Sequence, residues 1–352
     1  MKSNPKRTSI YDVAERSGVS VATVCRVMNN GKYVREETRK KVIQTIETLN
    51  YVPNPVARLL VKQNDISRKK TTVLLCLGKY VTATHSYFSG MIYSIEKILS
   101  EYDFSLSITH VTDAMPYQLP DMPRMLIDGE FIAAILLGDI DNNIYKFITG
   151  VTKNIVVLDV SPKFKEITCV KNDDIGGALI SVKHLIDLGH RSIGIIIGPE
   201  ENSFSMDILQ GYKNALETSD IPYISDNVVR GEAFDSKNGY LAARSLLEKG
   251  DVTAIFTNDD MALGVIKAAR EKGVNIPRDL SIVGFDDSPF AEYTDPPLTT
   301  VRVDKLAIGR IGAETLISMI RQEGESRVRH IIFPSELVIR NSTDSVISRD
   351  AL

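Results

Sequence analysis

Three pairs of neighbouring aspartates have the residue type best suited to binding a polar ligand. The pairs are Asp173–Asp174, Asp259–Asp260 and Asp286–Asp287. Each pair follows a short apolar run that predicts a β-strand, and open parallel sheets bind ligands at the carboxyl ends of their strands. Carboxylates there can accept hydrogen bonds from hydroxyl or N–H groups, or they can cap the helix that follows. Capping is the expected role of Asp173, Asp174 and Asp260.

Paired carboxylates also occur in glycoside hydrolases, but the rest of the sequence gives no support for catalysis. It contains no G-x-G-x-x-G, G-x-x-x-x-G-K-[ST] or G-x-S-x-G motif. The five histidines are scattered, and His184 and His190 do not fall on one face of a helix. Cys25, Cys76 and Cys169 lie far apart without a C-x-x-C pair, which argues against a zinc site and a disulfide framework. We therefore expect no enzymatic activity, no cofactor and no metal.

From Thr72 onward the sequence alternates short apolar runs with amphipathic helical patterns. This alternation is typical of βαβ units and parallel sheets. It restarts after Thr168, so two similar halves predict two lobes with a cleft between them. A chain of 352 residues, 43% of them hydrophobic, is long enough to bury such cores. Because no window approaches a membrane span and no apolar segment follows the basic N-terminus, we expect a cytoplasmic protein.

The first 60 residues have a different pattern, that of short helices sharing a small core. Ser9 and Asp12 form a capping pair for a first helix, which Gly18 should end. Ser20 can cap a second helix that runs through Asn29. The apolar positions at helical spacing are Ile10, Val13 and Ala14, then Val24, Val27 and Met28, then Val42, Ile43, Ile46 and Leu49. Together they predict a helix-turn-helix closed by a longer third helix.

The outward face of the second helix offers Arg26 together with Val21 and Ala22. Such a face suits the major groove of DNA, where arginine binds guanine and apolar side chains contact thymine methyl groups. Residues 1–70 hold 15 Lys and Arg against 6 Asp and Glu, whereas the whole chain has a formal net charge of −3. Residues 1–70, which we call the head, are therefore basic, and the rest of the chain is acidic. This distribution indicates a nucleic-acid partner for the head only.

The order and spacing of several motifs resemble the LacI/GalR (lac-repressor-like) family of transcriptional regulators. In the head these motifs are DVA, GVS, TV-x-R, V-x-x-x-TR, Y-x-PN and AR-x-L. HLIDLGHRSIGIIIGP, TNDDMALG, SIVGFDD, PPLTTV and ELVIR extend the resemblance over nearly all of residues 9–343.

The resemblance implies a fold class and a set of domains. The expected fold is an N-terminal all-α helix-turn-helix domain with a hinge helix, joined to an α/β two-lobed core that is similar to periplasmic binding proteins. In that core, two parallel sheets are flanked by helices. The expected ranges are 1–53 for the DNA-binding head, 54–70 for the hinge helix and linker, 71–345 for the core and 346–352 for a tail. Within the core, lobe 1 is expected at 71–168 and 299–328, and lobe 2 at 169–298 and 329–345.

The resemblance also assigns roles to single residues. The implied DNA-binding residues are Tyr11, Val21, Ala22, Thr23, Arg26, Asn29, Thr38, Tyr51, Asn54 and Leu60, the last as a hinge leucine that enters the minor groove. The implied effector-binding residues are Phe88, Phe234, Asp259 and Asp286. Ile208 departs from the family, because many relatives carry an arginine there that grips effector oxygens. An isoleucine cannot donate a hydrogen bond, so the resemblance leaves the identity of the effector open.

The function implied is that of a sequence-specific DNA-binding repressor. It would bind a pseudo-palindromic operator in double-stranded DNA as a homodimer or tetramer, under the control of a small molecule, expected to be a sugar or sugar derivative. Two alternatives remain at this stage. One is a catabolite-control-type regulator that uses a phosphoprotein co-regulator, and the other is a carbohydrate-binding or carbohydrate-active protein.

Overall fold

The structure is a computed structural model that describes residues 9–28, 34–49, 51, 71–111, 126, 128–160, 166–321 and 328–346. The predicted hinge helix, with Asn54 and Leu60, lies outside the described residues, as does Asn29. None of the helices in these ranges has the length and apolar composition that crossing a bilayer requires.

Three helices form the described part of the head: α1 (Ile10–Ser17), α2 (Val21–Met28) and α3 (Glu36–Thr48). The predicted capping box is confirmed, because the Ser9 hydroxyl accepts from the N–H of Asp12 and the Asp12 carboxylate accepts from the N–H of Ser9. Gly18 ends α1 with a φ of 68°, a conformation that costs glycine little. The apolar faces of the helices meet in one core. Its buried members are Val13, Ala14, Val24, Val27, Met28, Val42 and Tyr51.

A first six-stranded sheet follows the head. Its strands are β1 (Thr72–Leu77), β2 (Ser105–His110), β3 (Ala133–Leu137), β4 (Ile155–Leu158), β5 (Thr168–Asn172) and β11 (His330–Phe333). Their order across the sheet is β11-β5-β4-β3-β1-β2. β1 pairs in parallel with β2, and β5 pairs in parallel with both β4 and β11. Every residue of β3, β4 and β5 is buried, as expected of a parallel sheet covered on both faces.

A second six-stranded sheet repeats this architecture. Its strands are β6 (Ile193–Ile197), β7 (Val228–Arg230), β8 (Ala254–Phe256), β9 (Ser281–Asp286), β10 (Thr299–Arg302) and β12 (Glu336–Val338). Their order is β12-β10-β9-β8-β6-β7. β6 pairs in parallel with β7 and β8, and β9 pairs in parallel with β8 and β10. β12 is antiparallel to β10.

The core contains α-helices, most of which begin with a side-chain cap that the sequence supplies. They are α4 (Ser86–Glu101), α5 (Asn142–Val151), α6 (Asp174–Asp187), α7 (Ser203–Glu217), α8 (Ser236–Lys249), α9 (Asp259–Lys272) and α10 (Lys305–Arg321). Asp173 caps α6 as predicted, because its carboxylate accepts from the N–H of Gly176. The capping prediction is wrong for Asp174 and Asp260, which lie inside the first turn; Asn258 caps α9 instead. These caps place helix N-termini close after the strands.

The chain divides into two compact units, one of Met1–Lys79, Ser100–Leu136 and Ile140–Ile155, the other of Tyr80–Leu99, Leu137–Asp139 and Val156–Leu352. The strands do not follow the predicted lobe boundaries. β5 and β11 belong to the first sheet, although residues 169–298 and 329–345 are predicted in lobe 2. β10 belongs to the second sheet, although residues 299–328 are predicted in lobe 1. A short apolar run indicates a strand but not its neighbour in the sheet, so the hydrophobic pattern could not place these strands.

Candidate functional site

The surface of the head carries three of the predicted DNA-binding residues. Ala22 and Arg26 are exposed on α2, and Tyr11 on α1 is 72% exposed. The opposite side of α2 is buried in the head core. That burial fixes the rotation of α2 about its axis, so Arg26 points to solvent and is available to a partner.

The other described head residues are less available. Val21, Thr23 and Thr38 are partly buried, and Val21 packs against the head core. The N–H of Thr23 donates to the Ser20 hydroxyl over 3.2 Å, so Ser20 caps α2 as predicted. Tyr51 is 8% exposed and belongs to the head core. The structure thus shows a packing role for Tyr51, and its contact with phosphate stays a prediction.

Asp259, the first residue of α9, is fully buried in the second unit. Its Oδ2 accepts from the N–H of Ser288 and its Oδ1 from the hydroxyl of Thr300, each over 2.6 Å. A Cβ at Gly284 would collide with Oδ1, so β9 needs glycine there. Burial raises the pKa of Asp259, although the two hydrogen bonds act to lower it. Both carboxylate oxygens are therefore engaged inside the protein and join α9 to β10 and to the loop after β9.

The chain leaves β9 through two aspartates with unusual backbone conformations. φ is 116° at Asp286 and 47° at Asp287, values that are uncommon outside glycine. Lys305 Nζ donates to the backbone carbonyl oxygens of both. The Asp287 carboxylate accepts from Arg302 over 2.8 Å and from Arg340 over 2.6 Å. Strained backbone that is held by such contacts concentrates at ligand sites, which is a physical reason to expect function at the buried Asp286.

Five side chains near the ends of β4 and β5 form a largely buried charged group, which we call the Asp159 cluster. Its members are Tyr87, Asp159, Lys171, Asp174 and Asp207. Tyr87 donates its hydroxyl hydrogen to Asp159 over 2.5 Å. Lys171 Nζ donates to Asp207 over 2.7 Å and lies 4.0 Å from Asp174. The cluster thus places a buried ammonium between two carboxylates, with a third carboxylate bound to a tyrosine.

The Asp159 cluster has strongly shifted acidities. Burial raises the pKa of Asp159 to about 7 and that of Asp174 to about 8, and the charge of Asp159 also contributes to the shift at Asp174. For Lys171, burial lowers the pKa, but the hydrogen bond to Asp207 and the nearby carboxylates outweigh it and raise the pKa overall. Within the described residues, no three His, Cys, Asp or Glu side chains are arranged to hold a metal ion.

Replacing Asp174 by asparagine is expected to flatten the pH dependence of stability. In the folded protein the pKa of Asp174 is raised from its ordinary value of 3.8 to about 8. The protonated carboxyl group therefore contributes its full stabilisation below pH 3.8, and this contribution is lost as the pH rises through about 8. Asparagine cannot ionise, so the melting temperature of Asp174→Asn should fall less than that of the wild type between about pH 5 and about pH 8.5. Differential scanning calorimetry measures both slopes. The exposed Asp226→Asn should keep the wild-type slope, and a wild-type slope for Asp174→Asn would contradict the raised pKa.

A small, largely apolar cavity lies in the second unit, beside β6, β8 and β9. Its apolar wall includes Phe204, Ile208, Phe234, Phe256, Met261 and Phe285. The Phe204 ring packs edge-on against Phe234 and Phe285, at centroid distances of 5.8 and 5.3 Å. Ile208 is only 2% exposed. Two of the cavity's polar lining residues are Ser205, whose hydroxyl has no hydrogen-bond partner among the described residues, and Asn258.

The structure places all four predicted effector residues in the second unit, but only one of them lines the cavity. Phe234 lines the cavity, as does Ile208. Asp259 is buried at the first position of α9 and Asp286 at the last position of β9. Phe88 does not line the cavity and packs against Tyr87, with ring centroids 5.0 Å apart. Sequence patterns did not single out Tyr87, Asp159 or Lys171. An aspartate directly after the apolar run NIVVL and a lysine inside a buried strand are the signals that could have found the last two.

Comparison with protein families matches both parts of the chain. The family described as "Bacterial regulatory proteins, lacI family" matches residues 9–54, and the "Periplasmic binding protein-like domain" matches residues 182–343. A probable HTH-type transcriptional repressor ExuR of Bacillus subtilis is 34% identical over 339 residues, which cover 95% of this chain and 98% of that protein. The HTH-type transcriptional repressor PurR of Haemophilus influenzae is 31% identical over 348 residues, with 96% and 99% covered.

Similar solved structures are also those of transcriptional regulators. A complex of the transcriptional regulator CelR with cellobiose has a TM-score of 0.70 and 27% identity, and the match covers 96% of this chain and all of that one. The lac repressor dimer bound to operator and the anti-inducer ONPF has a TM-score of 0.68 and 26% identity, with 97% and 100% covered.

Proposed function

This chain belongs to the lacI family of bacterial regulatory proteins, and on that premise we propose how it controls transcription. Like its relatives it is an HTH-type transcriptional repressor and not an enzyme. We propose that a homodimer acts in the cytoplasm on a pseudo-palindromic operator, and that a small carbohydrate controls its operator affinity. The observation that carries the DNA-binding part is the exposed Ala22 and Arg26 on a helix whose other face is locked into the head core.

In this proposal α2 is the recognition helix. Each subunit inserts α2 into the major groove at one half-site, and the two-fold axis of the dimer matches the symmetry of the operator. Arg26 can donate two hydrogen bonds to the O6 and N7 atoms of guanine, while Ala22 can contact a thymine methyl group. Tyr11 lies on the neighbouring helix, where its exposed hydroxyl can donate to a backbone phosphate.

Replacing Arg26 by alanine should cost about 1–3 kcal/mol of operator binding and relax the base preference at one position of each half-site. The reason is that a guanine-specific contact is lost while the head core, which does not contain Arg26, stays intact. Mobility-shift titrations against operators substituted at every position measure the effect. Arg16→Ala, at an exposed arginine on α1, removes the same charge and should leave the base preference unchanged. Wild-type base preference in Arg26→Ala would contradict the assignment.

The proposed effector site comprises the cavity together with the buried Asp259 and Asp286, which follow its lining residues Asn258 and Phe285 in the sequence. Aromatic ring faces such as that of Phe234 suit the C–H faces of a sugar ring, and carboxylates accept hydrogen bonds from sugar hydroxyl groups. The complex of CelR with cellobiose supports a carbohydrate effector for this chain as well. The Ser205 hydroxyl in the cavity has no hydrogen-bond partner among the described residues, so it can bind a small polar molecule. An effector of this kind changes operator affinity by its differential affinity for two conformations, typically worth about 1–3 kcal/mol.

Thermal-shift measurements with a panel of sugars test the effector proposal, since a ligand that binds only the folded state raises its melting temperature. A sugar that raises the melting temperature should also change operator affinity in the same protein. Stabilisation by a phosphorylated carrier protein, with none by any sugar, would favour the phosphoprotein alternative.

A further inference from the structure

A buried ammonium group in the Asp159 cluster lies between two carboxyl groups that belong to different helices. Lys171, on β5, is 7% exposed, and its Nζ donates to Asp207 of α7 over 2.7 Å. The same Nζ lies 4.0 Å from Asp174, the first residue of α6, which is beyond hydrogen-bond distance. Of these two carboxyl groups, Lys171 therefore hydrogen-bonds to Asp207, and this bond joins β5 to α7.

The two carboxyl groups differ in how well water can solvate them. The Asp207 side chain is 23% exposed, whereas the Asp174 side chain is only 4% exposed. An ionised carboxylate that water cannot reach depends on a charged partner, while a carboxylate at the surface is hydrated without one. The amide of Asn172 donates to Asp174, but over a long distance of 3.2 Å. An ionised Asp174 would therefore attract Lys171 more strongly than Asp207 does.

The protonation state of Asp174 decides which arrangement exists. Burial, followed by the charge of Asp159, raises the pKa of Asp174 to about 8, so the carboxyl group is protonated at neutral pH. Lys171 and Asp207 also act on it, and Tyr87 of α4 interacts with it electrostatically. Asp159 ionises at lower pH, because burial raises its pKa to about 7, and Tyr87 remains its hydrogen-bond donor.

Lys171 keeps its charge over the same range of pH. Burial lowers the pKa of Lys171, but the hydrogen bond to Asp207 and the nearby carboxylates outweigh burial and raise the pKa overall. Near pH 8 the charge that changes is thus that of Asp174 and not that of the ammonium group.

We propose that Lys171 is a proton-controlled tether of α7. While Asp174 carries a proton, Lys171 binds Asp207 and holds α7 against β5. When that proton leaves to solvent, Lys171 moves to Asp174, and water solvates the released Asp207. Because the pKa of Asp174 is about 8, the tether holds below that pH and is released as the pH rises through it. Ser205 and Ile208 of α7 line the cavity, so the switch acts on one wall of the cavity, and it requires neither DNA nor an effector.

The loss of stability on removing the Asp207 charge measures the tether. At about pH 6, Asp207→Asn should lower the melting temperature of the full-length protein by about 3 °C or more, because a hydrogen bond between charged groups is lost. At about pH 9 the same substitution should lower the melting temperature by less than about 1 °C, since Lys171 is then bound to Asp174. Glu217→Gln removes a charge from the exposed last residue of α7 and should have the same effect at both pH values.

A second variant tests whether the proton on Asp174 is the cause. Asparagine cannot ionise, so in an Asp174→Asn background Asp207→Asn should lower the melting temperature by the same amount at about pH 9 as at about pH 6. Hydrogen exchange gives an independent readout. In the wild type, the protection of amides near Ser205 and Ile208, relative to that of α8, should fall about threefold or more over this range. In Asp174→Asn it should stay constant.

Two results would overturn the tether. One is a loss of melting temperature in Asp207→Asn that is equal at both pH values in the wild-type background, whether large or zero. The other is relative protection of α7 in the wild type that does not change with pH.

Discussion

Replacing Asp259 by alanine is expected to abolish the effector response while operator affinity without effector stays close to wild type. The carboxylate is fully buried, and it binds the N–H of Ser288 and the hydroxyl of Thr300 over 2.6 Å each. Losing it leaves two buried donors unsatisfied, at about 1–3 kcal/mol per group, and it releases the loop that follows Asp286. The head has a core of its own. Fluorescence anisotropy with labelled operator, with and without effector, measures both quantities.

The control for Asp259 removes only one of its contacts. Thr300→Val deletes the hydroxyl that donates to Oδ1 but keeps the bond between Asp259 and Ser288, so it should weaken the effector response without abolishing it. Circular dichroism shows whether each variant is folded. A folded Asp259→Ala protein that responds at the wild-type effector concentration would show that Asp259 does not position the site.

The largest loss of stability is expected from Lys171→Met. Lys171 is 7% exposed, and its ammonium lies 2.7 Å from Asp207 and 4.0 Å from Asp174. Removing one partner of a buried ion pair leaves uncompensated charge and typically costs about 3–5 kcal/mol. For a domain of this size the melting temperature should fall by about 6–20 °C. Urea denaturation followed by circular dichroism measures the free energy of unfolding.

A double variant tests whether charge is the cause. Methionine fills much of the space of lysine, so Lys171→Met/Asp207→Asn, which also removes the orphaned carboxylate, should recover part of the lost free energy of unfolding. The recovery expected between residues in contact is about 0.5–3 kcal/mol. Strictly additive losses would mean that Lys171 stabilises the protein by packing alone.

Features of the head that depend on neighbouring residues could be predicted from the sequence. The hydrogen bonds of Ser9 with Asp12 span three residues, and the left-handed turn at Gly18 depends on one residue. The register of α2 follows from apolar positions at helical spacing, and the structure buries Val24, Val27 and Met28 accordingly. Such signals lie within one or two turns of the chain, so no knowledge of the tertiary fold is needed to read them.

Features of the core that depend on distant residues could not be predicted in this way. β11 pairs with β5 across more than a hundred residues, and β10 lies between β9 and β12. Tyr87 has the spacing of a core residue on an amphipathic helix, and only the fold brings its hydroxyl to Asp159. The resemblance to a family supplied Phe234, Asp259 and Asp286, but it contained no information on the internal partners of Asp259.

The two sides of the proposed effector site differ in how freely they can be redesigned. Asp259 is interlocked with Ser288, Thr300 and the bare backbone of Gly284, so a change at any one of them requires compensating changes in the others. Ile208 and Phe234 sit in an apolar wall, where a substitution alters shape without orphaning a hydrogen bond. Libraries for a biosensor with a new specificity should therefore randomise this wall and keep the carboxylate side constant.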